Sequence, residues 1–178
     1  MKVKYSDLKN KRVFITGGGS GIGASIVEHF CEQGSEVYFV DIDLKETKKL
    51  LNKIKKNKFR SPTFIECNLL DINKLEKTIK NIIAKKGPIH VLVNNAANDD
   101  RHTTDQVDEK YWENRMAVNL KHYFFAAKAV VKSMMKMKAG SIVNLSSVSW
   151  MLGEGDKVVY ETAKSAVVGL TRSFAQEY

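Results

Sequence analysis

Between a short apolar run, RVFIT (residues 12–16), and an amphipathic stretch, IGASIVEHFCEQG, stands the turn GGGSG. Three successive glycines serve a backbone that must turn too sharply, or pass too close to something, for a Cβ to fit. A strand passing through such a turn into a helix is the opening unit of an open parallel sheet. This punctuation restricts the rest of the chain more than its composition does. Ile22, Ile26 and Phe30 recur at helical spacing behind the turn, and Gly34 is a stop signal.

The alternation continues along the chain. EVYFVD (36–41) reads as a second strand, followed by the Lys-rich helical run KETKKLLNKIKKNKFR (45–60), with Leu50, Leu51 and Ile54 on one face. TFIEC (63–67) is a third strand. Asp71 suits the N-cap of a helix carrying Ile72, Leu75, Ile79 and Ile82, which Gly87 and Pro88 end. IHVLVN (89–94) is a fourth strand. The polar loop NDDRHTTDQ leads into a long helical region through Met137. SIVNLSS (141–147) is a fifth strand, and the last helix starts near Lys157 to Tyr160. Near-continuous apolar strands suit a parallel sheet covered on both faces. The expected fold class is α/β, a doubly wound parallel sheet in three layers, α/β/α. With no repeat, low-complexity tract or linker, residues 1–178 form one expected domain.

Composition excludes several classes. The formal charge of +9 is mostly spread lysine, and its densest run keeps an apolar stripe. It reads as a solvated helix face rather than a polyanion site, so no nucleic-acid partner is expected. Cys31 and Cys67 sit within a predicted helix and strand and have no metal-ligand spacing; no metal and no disulfide framework are expected. The start, MKVKYSDLKN, lacks the apolar core of a signal peptide, and no apolar run reaches the roughly 18 residues of a membrane span. A cytoplasmic location without a membrane partner is the expectation.

The glycine turn has a chemical reading. Gly17, Gly21 and Gly23 form T-G-x-x-x-G-x-G, and with Gly19, Ser20 and Ile22 they bring backbone amides to a helix start, where the helix dipole favours a diphosphate. A tight strand-to-helix turn alone would also use glycine. Here, however, an acid follows at a fitting distance: Asp41, eighteen residues after Gly23, ends the second strand. Its carboxylate can accept hydrogen bonds from an adenosine ribose with two free hydroxyls, and it would repel a 2′-phosphate. Neither Ser20 nor the following Ile42 and Asp43 supplies a cation for that phosphate. NAD is therefore preferred over NADP. Helix N-capping is the alternative use of Asp41.

Polar groups cluster at later strand ends, where ligands bind in doubly wound sheets. They are NNAA (94–97), Ser146 with Ser147, and Tyr160 with Lys164. The last two are i and i+4 and share a helix face. An ammonium beside a phenol favours the phenolate, which can take a proton from an alcohol. Ser147 would hydrogen-bond the same oxygen. An ordinary amphipathic helix could also carry an exposed Tyr and Lys at this spacing.

TGGGSGIG, NNAA, Asn119 within MAVNL, Ser147, and YETAK thirteen residues after it together resemble the short-chain dehydrogenase/reductase family, in order over nearly the whole chain. The resemblance implies a Rossmann-type sheet and a catalytic tetrad of Asn119, Ser147, Tyr160 and Lys164. Asn119 would bend its helix and hold a water linking Lys164 to solvent. Lys164 would bind the nicotinamide ribose. Asn95, Ala96 and Ala97 would flank the cofactor, with Asn68 and Leu69 beside adenine. The family usually has Asp where Asn68 stands, and Asn can still accept there through its carbonyl. The spacing to Tyr160 favours Ser147 over Ser146, which reads as a packing residue.

NNAANDDRHT, VNLKHYFFAAKAV and SVSWM look like the NAD-dependent aldose dehydrogenases, which oxidise sugars such as xylose or galactose to lactones. Asn98, Asp99, Asp100, Arg101 and His102 offer donors and acceptors for a sugar; Trp150 offers an apolar platform. Asn98, His102, Ser147, Trp150 and Tyr160 are the candidate substrate residues. A charged surface loop with an internal Asp–Arg pair and a buried Trp is the alternative, and a hydroxyacyl or ketone substrate is the rival chemistry. The resemblance also implies a sixth strand, a Pro-Gly turn at the nicotinamide, a covering loop and a seventh strand beyond Tyr178. Their absence from the sequence fits a fragment of a complete dehydrogenase, a short chain completed by oligomerisation, or an NAD-binding module without turnover. A homodimer or homotetramer through the last long helices is expected.

Overall fold

The computed structural model describes residues 3–178. Its five strands are β1 (Arg12–Thr16), β2 (Glu36–Asp41), β3 (Thr63–Glu66), β4 (Val91–Asn94) and β5 (Ser141–Asn144). All pairings are parallel, in the order β3-β2-β1-β4-β5. The connecting helices are α1 (Gly21–Glu32), α2 (Leu44–Lys56), α3 (Ile72–Lys86), α4 (Glu109–Met116) and α5 (His122–Met137). After β5 come the single turn α6 (Ser149–Leu152) and the long α7 (Val158–Glu177). This is the expected doubly wound, Rossmann-type sheet.

Strand alternation separates two apolar layers. Val13, Ile15, Val37, Phe39 and Val93 bury against Val27 and Cys31 of α1 and Leu50 and Ile54 of α2. Phe14, Tyr38, Val40 and Leu92 face the other way, against Leu75, Ile79 and Ile82 of α3 and Ala126, Ala127, Val130 and Met134 of α5. Both sides of the sheet are thus covered, which explains why its strands lack a polar face. Both cysteines are free and buried. Burial pushes the Cys31 thiol up to about 12 and raises that of Cys67. Among the described residues there is no His/Cys/Asp/Glu group that could hold a metal, and no helix long and apolar enough to cross a membrane.

Several boundaries differ from those read in the sequence. In α1 the buried stripe is Gly23, Val27 and Cys31, while Ile22 is 69% exposed. The helix packs on the glycine turn through its smallest residue, and this rotates Ile22 outward. β3 ends at Glu66, although the Cys67 amide still donates to the Asp41 carbonyl. β4 begins at Val91, although the His90 amide still donates to the Arg12 carbonyl, and the Arg12 amide donates to the His90 ring. β5 ends at Asn144, three residues short of Ser147. The Leu145 carbonyl is taken by Lys164 Nζ and Tyr123 Oη, which removes the next rung. The long helix before Met137 is interrupted by a π-helical segment, Ala117–Lys121, around Asn119. β5 is an outer strand, with Val143 45% exposed.

Two junctions position the site. Thr16 is in register with both Val40 and Asn94, so β1 and β4 end side by side. The chain leaves β1 at Gly17 with φ +65°, and a Cβ there would lie 2.8 Å from the Ala96 Cα. Thr16 Oγ1 accepts from the amides of Asn95 and Ala96, which clamps the two strand ends together.

Candidate active site

The glycine turn is built around close contact. A Cβ on Gly23 would lie 1.9 Å from the Gly17 carbonyl oxygen and 2.6 Å from Asn95 Nδ2. Asn95 Nδ2 donates to the carbonyls of Thr16 and Gly17, so it braces the turn from the β4 side. Gly21, by contrast, has φ +52° and nothing within 4 Å of where a Cβ would be. Ser20 is the N-cap of α1 in extended conformation and makes no side-chain cap. The first turn of α1 therefore presents amides that lack a side-chain acceptor, beside open space. That is what a diphosphate requires.

Asp41 is fixed over this turn. Its Oδ2 accepts from the Gly19 amide at 2.7 Å, and its Oδ1 accepts from the amides of Ile42 at 2.7 Å and Asp43 at 2.9 Å. It does not cap α2; Asp43 does, accepting from the Glu46 amide. Asn68 Oδ1 accepts from the Leu70 amide at 3.0 Å. A groove of about 610 Å³ gathers Gly17, Ser20, Gly21, Ile22 and Gly23 with Asp41 and Ile42. Its other wall holds Asn68, Leu69, Asn95, Ala96, Ala97 and Asn98. Most of the residues assigned to a dinucleotide from sequence thus meet in one groove; Gly19 is buried beneath Asp41, and Tyr160 and Lys164 lie outside the lining. The residues present fit such a cofactor.

Asn119, Ser147, Tyr160 and Lys164 do not line this groove. Lys164, 1% exposed, lies on α7 with its Nζ 5.7 Å from the Tyr160 ring centre. The ammonium donates to Tyr123 Oη at 2.8 Å and to the Leu145 carbonyl at 2.7 Å. Burial lowers its pKa from 10.5 to about 8. Tyr160 is half-buried in the first turn of α7. Ser146 Oγ donates to the Lys164 carbonyl at 2.6 Å and so anchors α7 to the end of β5. Ser147 Oγ is 2.8 Å from Ser149 Oγ. Asn119 is fully buried, and its amide pairs with the Asn98 backbone: Asn98 N–H donates to Oδ1 at 2.7 Å and Nδ2 donates to Asn98 O at 2.9 Å. The Asn119 side chain holds the segment after β4, and the π-helical segment lies where Asn119 was expected to bend its helix.

The polar loop is mostly bound within the protein. Asp100 pairs with Arg115 at 2.6 Å, and Arg101 with Asp156 at 2.5 Å. The expectation that His102 offers its ring to a substrate meets a ring 6% exposed with both nitrogens engaged. Nδ1 is 3.0 Å from the Asp100 carbonyl and 2.9 Å from Tyr111 Oη, and Nε2 is 3.4 Å from the Val159 amide. Asn98 Oδ1 accepts from the Asp100 amide, and Asp99 lines the groove beside the glycine turn. Trp150 is half-buried on α6, which packs against α7.

Sequence reasoning passed over Tyr123 and His122. His122 Nε2 lies 3.3 Å from Thr16 Oγ1, and its ring centre is 4.5 Å from that of Tyr123, the two planes tilted by 57°. Burial and then the Lys164 charge push the imidazole down to about 3, against the smaller opposing effect of the Val118 and Ala117 carbonyls. The signal was present: both residues fall on the stripe that continues through Ala126, Ala127, Val130 and Met134, where a polar group must have a partner.

Residues 11–178 match the model of the short chain dehydrogenase family. The chain is 43% identical over 173 residues to D-xylose 1-dehydrogenase of Caulobacter vibrioides, covering 97% of this chain and 68% of that protein. It is 41% identical over 172 residues to the probable galactose dehydrogenase of Rhizobium meliloti, covering 97% and 67%. The ligand-free structure of Thermoplasma acidophilum aldohexose dehydrogenase superposes with a TM-score of 0.85 at 34% identity, over 98% of this chain and 64% of that one. The chain thus spans about two thirds of the length of these relatives. Its glycine turn, sheet order and family match together leave one assignment: it belongs to the short chain dehydrogenases, a family of oxidoreductases.

Proposed function

We propose that this chain forms the cofactor-binding and catalytic core of an NAD-dependent aldose dehydrogenase. Its substrate would be a sugar such as xylose or galactose, oxidised at the anomeric carbon to a lactone. The observation that carries the redox reading is the buried Lys164 cation, 5.7 Å from the ring of Tyr160 one helical turn away. The names of the relatives support the sugar. Asp41 supports NAD: its carboxylate is held by three backbone amides beside the glycine turn, where it can receive ribose hydroxyls and repel a 2′-phosphate.

Bound NAD supplies the acceptor for the hydride. Tyr160 takes the proton of the anomeric hydroxyl as the C–H electron pair leaves carbon, and the carbon–oxygen double bond of the lactone forms. Ser147 hydrogen-bonds the same oxygen. Lys164 supplies positive charge at Tyr160 and binds the nicotinamide ribose. Asn119 sets the position of Asn98, which with Trp150 contacts the sugar. Association as a homodimer or homotetramer and a cytoplasmic location belong to the same reading; Trp112 and Phe124, 41% and 40% exposed on α4 and α5, support the association.

The test is a panel of aldoses with NAD or NADP, run on the full-length natural protein and on Tyr160→Phe. NADH formation from at least one aldose is expected, lost in Tyr160→Phe while NAD binding persists. Turnover of 3-oxoacyl thioesters without aldose oxidation would overturn the sugar assignment, and activity surviving in Tyr160→Phe would overturn the proton-transfer role.

A further inference from the structure

The helix that carries Tyr160 and Lys164 begins without a cap of its own. Its N-cap residue, Lys157, has a side chain that cannot accept a hydrogen bond, and it makes none with the helix. The second amide of α7, that of Val159, is instead met by His102 Nε2 at 3.4 Å, from a loop 57 residues away in sequence. Helix N-termini gain from such an acceptor because their first amides have no partner within the helix.

The ring is held on every side. The His102 backbone amide donates to the Asp156 carbonyl, also at the mouth of α7. Arg101 reaches the Asp156 carboxylate, so two successive loop residues grip one residue. Asp156 is a non-glycine residue at φ +63°, a conformation that needs such external support. On the far side, Tyr111 of α4 packs at 5.0 Å from the imidazole, and Arg115 lies 4.8 Å over the Tyr111 ring while pairing with Asp100. The loop after β4, helix α4 and the start of α7 therefore meet at one imidazole.

We infer that His102 is a positioning residue: its Nδ1–H tautomer caps α7 through the Val159 amide and thereby fixes Tyr160, the next residue, against the loop after β4. The tautomer follows from the partners. An acceptor is needed at Nε2 toward an N–H, so the ring proton sits on Nδ1, where the Asp100 carbonyl can accept it at 3.0 Å. This rests on the reading that Tyr160 transfers the proton. It also removes His102 from the set that touches the sugar.

The experiment combines a readout of the helix start with one of turnover, in the full-length protein. Nitrogen-15 NMR of the wild-type imidazole is expected to show protonated Nδ1 and unprotonated Nε2. In His102→Ala, amide hydrogen exchange over residues 158–160 should accelerate about fivefold, the effect of losing one cap. Aldose kcat should fall while the aldose KM is held. His102→Gln, whose carbonyl can accept from Val159 while its NH₂ donates to Asp100, should restore both. An Nε2–H tautomer, unchanged exchange in His102→Ala, or failure of Gln to restore protection would overturn the proposal. So would a rise in aldose KM without a change in exchange, which would make His102 a sugar ligand. If the wild type oxidises no aldose, the sugar reading fails and the exchange and NMR measurements still decide the cap.

Discussion

Lys164 Nζ donates to Tyr123 Oη at 2.8 Å, a contact between α7 and α5 in a region from which water is excluded. The second donation, to the Leu145 carbonyl, leaves the ammonium one further hydrogen. Burial has a cost for this cation, and its pKa of about 8 against 10.5 records that cost. A fall from 10.5 to about 8 corresponds to on the order of 3 kcal/mol at neutral pH. The folded state binds fewer protons than the unfolded state between these two values, so the penalty is complete below about 8 and is relieved as pH rises toward 10.5. Lys164→Met should therefore be at least as stable as the wild type at neutral pH while losing turnover. The difference in Tm should shrink as the pH is raised through that window. A Lys164→Met protein that melts well below the wild type at neutral pH would show that the lysine contributes net stability.

Tyr123→Phe tests the same contact from the other side. The phenol, fully buried and with its own pKa raised by burial and by the Tyr160 charge, is a neutral acceptor for Lys164. Without it the ammonium keeps only the Leu145 carbonyl, and its pKa should drop below about 8. The alkaline limb of the kcat profile should move to lower pH, with kcat reduced by about tenfold at neutral pH, the equivalent of one hydrogen bond to a charged group. NAD affinity is the control. An unshifted alkaline limb would separate Tyr123 from Lys164 in function.

The glycine turn makes a prediction of space rather than charge. Gly23→Ala would force a methyl group to within 1.9 Å of the Gly17 carbonyl oxygen, with backbone on both sides of the collision. Destabilisation of about 3 kcal/mol and loss of NAD binding are expected. Gly21→Ala meets no atom but must hold φ +52°, at a cost of about 1 to 2 kcal/mol. Thermal melts of both variants, with and without NAD, should rank them in that order.

Chain order and strand identity were legible because each needs only local pattern. Alternating strand faces, Asp71 and Gly87 at the ends of α3, and the glycine turn after β1 all announce themselves within a few residues. The groove beside the glycine turn was legible for the same reason, since most of its residues lie at or just beyond strand ends. The partners of polar side chains were not. Asn119 pairs with Asn98 twenty-one residues away, and His102 with Val159 fifty-seven away, through contacts that exist only once the sheet has brought those ends together. The buried stripe of α1 was not legible for a related reason: helical spacing alone does not say that Gly23 must face the turn and Ile22 the groove.

Asp41→Ala should act on cofactor choice. The carboxylate satisfies three amides and leaves lone pairs toward the groove. Losing it removes acceptors from the ribose and a repulsive charge from a 2′-phosphate. NAD should bind about 10- to 100-fold more weakly, the range of one or two hydrogen bonds to a charged acceptor. NADP binding should be unchanged or improved. Titration with each dinucleotide measures the ratio, and equal weakening for both would place Asp41 in the fold of the turn rather than in discrimination.

His122 gives the molecule an acid sensitivity of its own. The neutral ring meets Thr16 Oγ1 at 3.3 Å and is fully buried, with the Lys164 charge nearby, so protonation is opposed down to about 3. An unfolded chain binds that proton near 6.5. The unfolded state therefore carries more protons between these values, and stability falls as pH drops from about 6.5 toward 3. His122→Gln keeps an acceptor near Thr16 and removes the titration. It should unfold at lower pH than the wild type, with a shallower dependence of unfolding free energy on pH over that window, even if its neutral-pH stability is somewhat lower. Denaturant melts at a series of pH values measure this slope. Parallel slopes for the two proteins would assign the acid sensitivity to other groups.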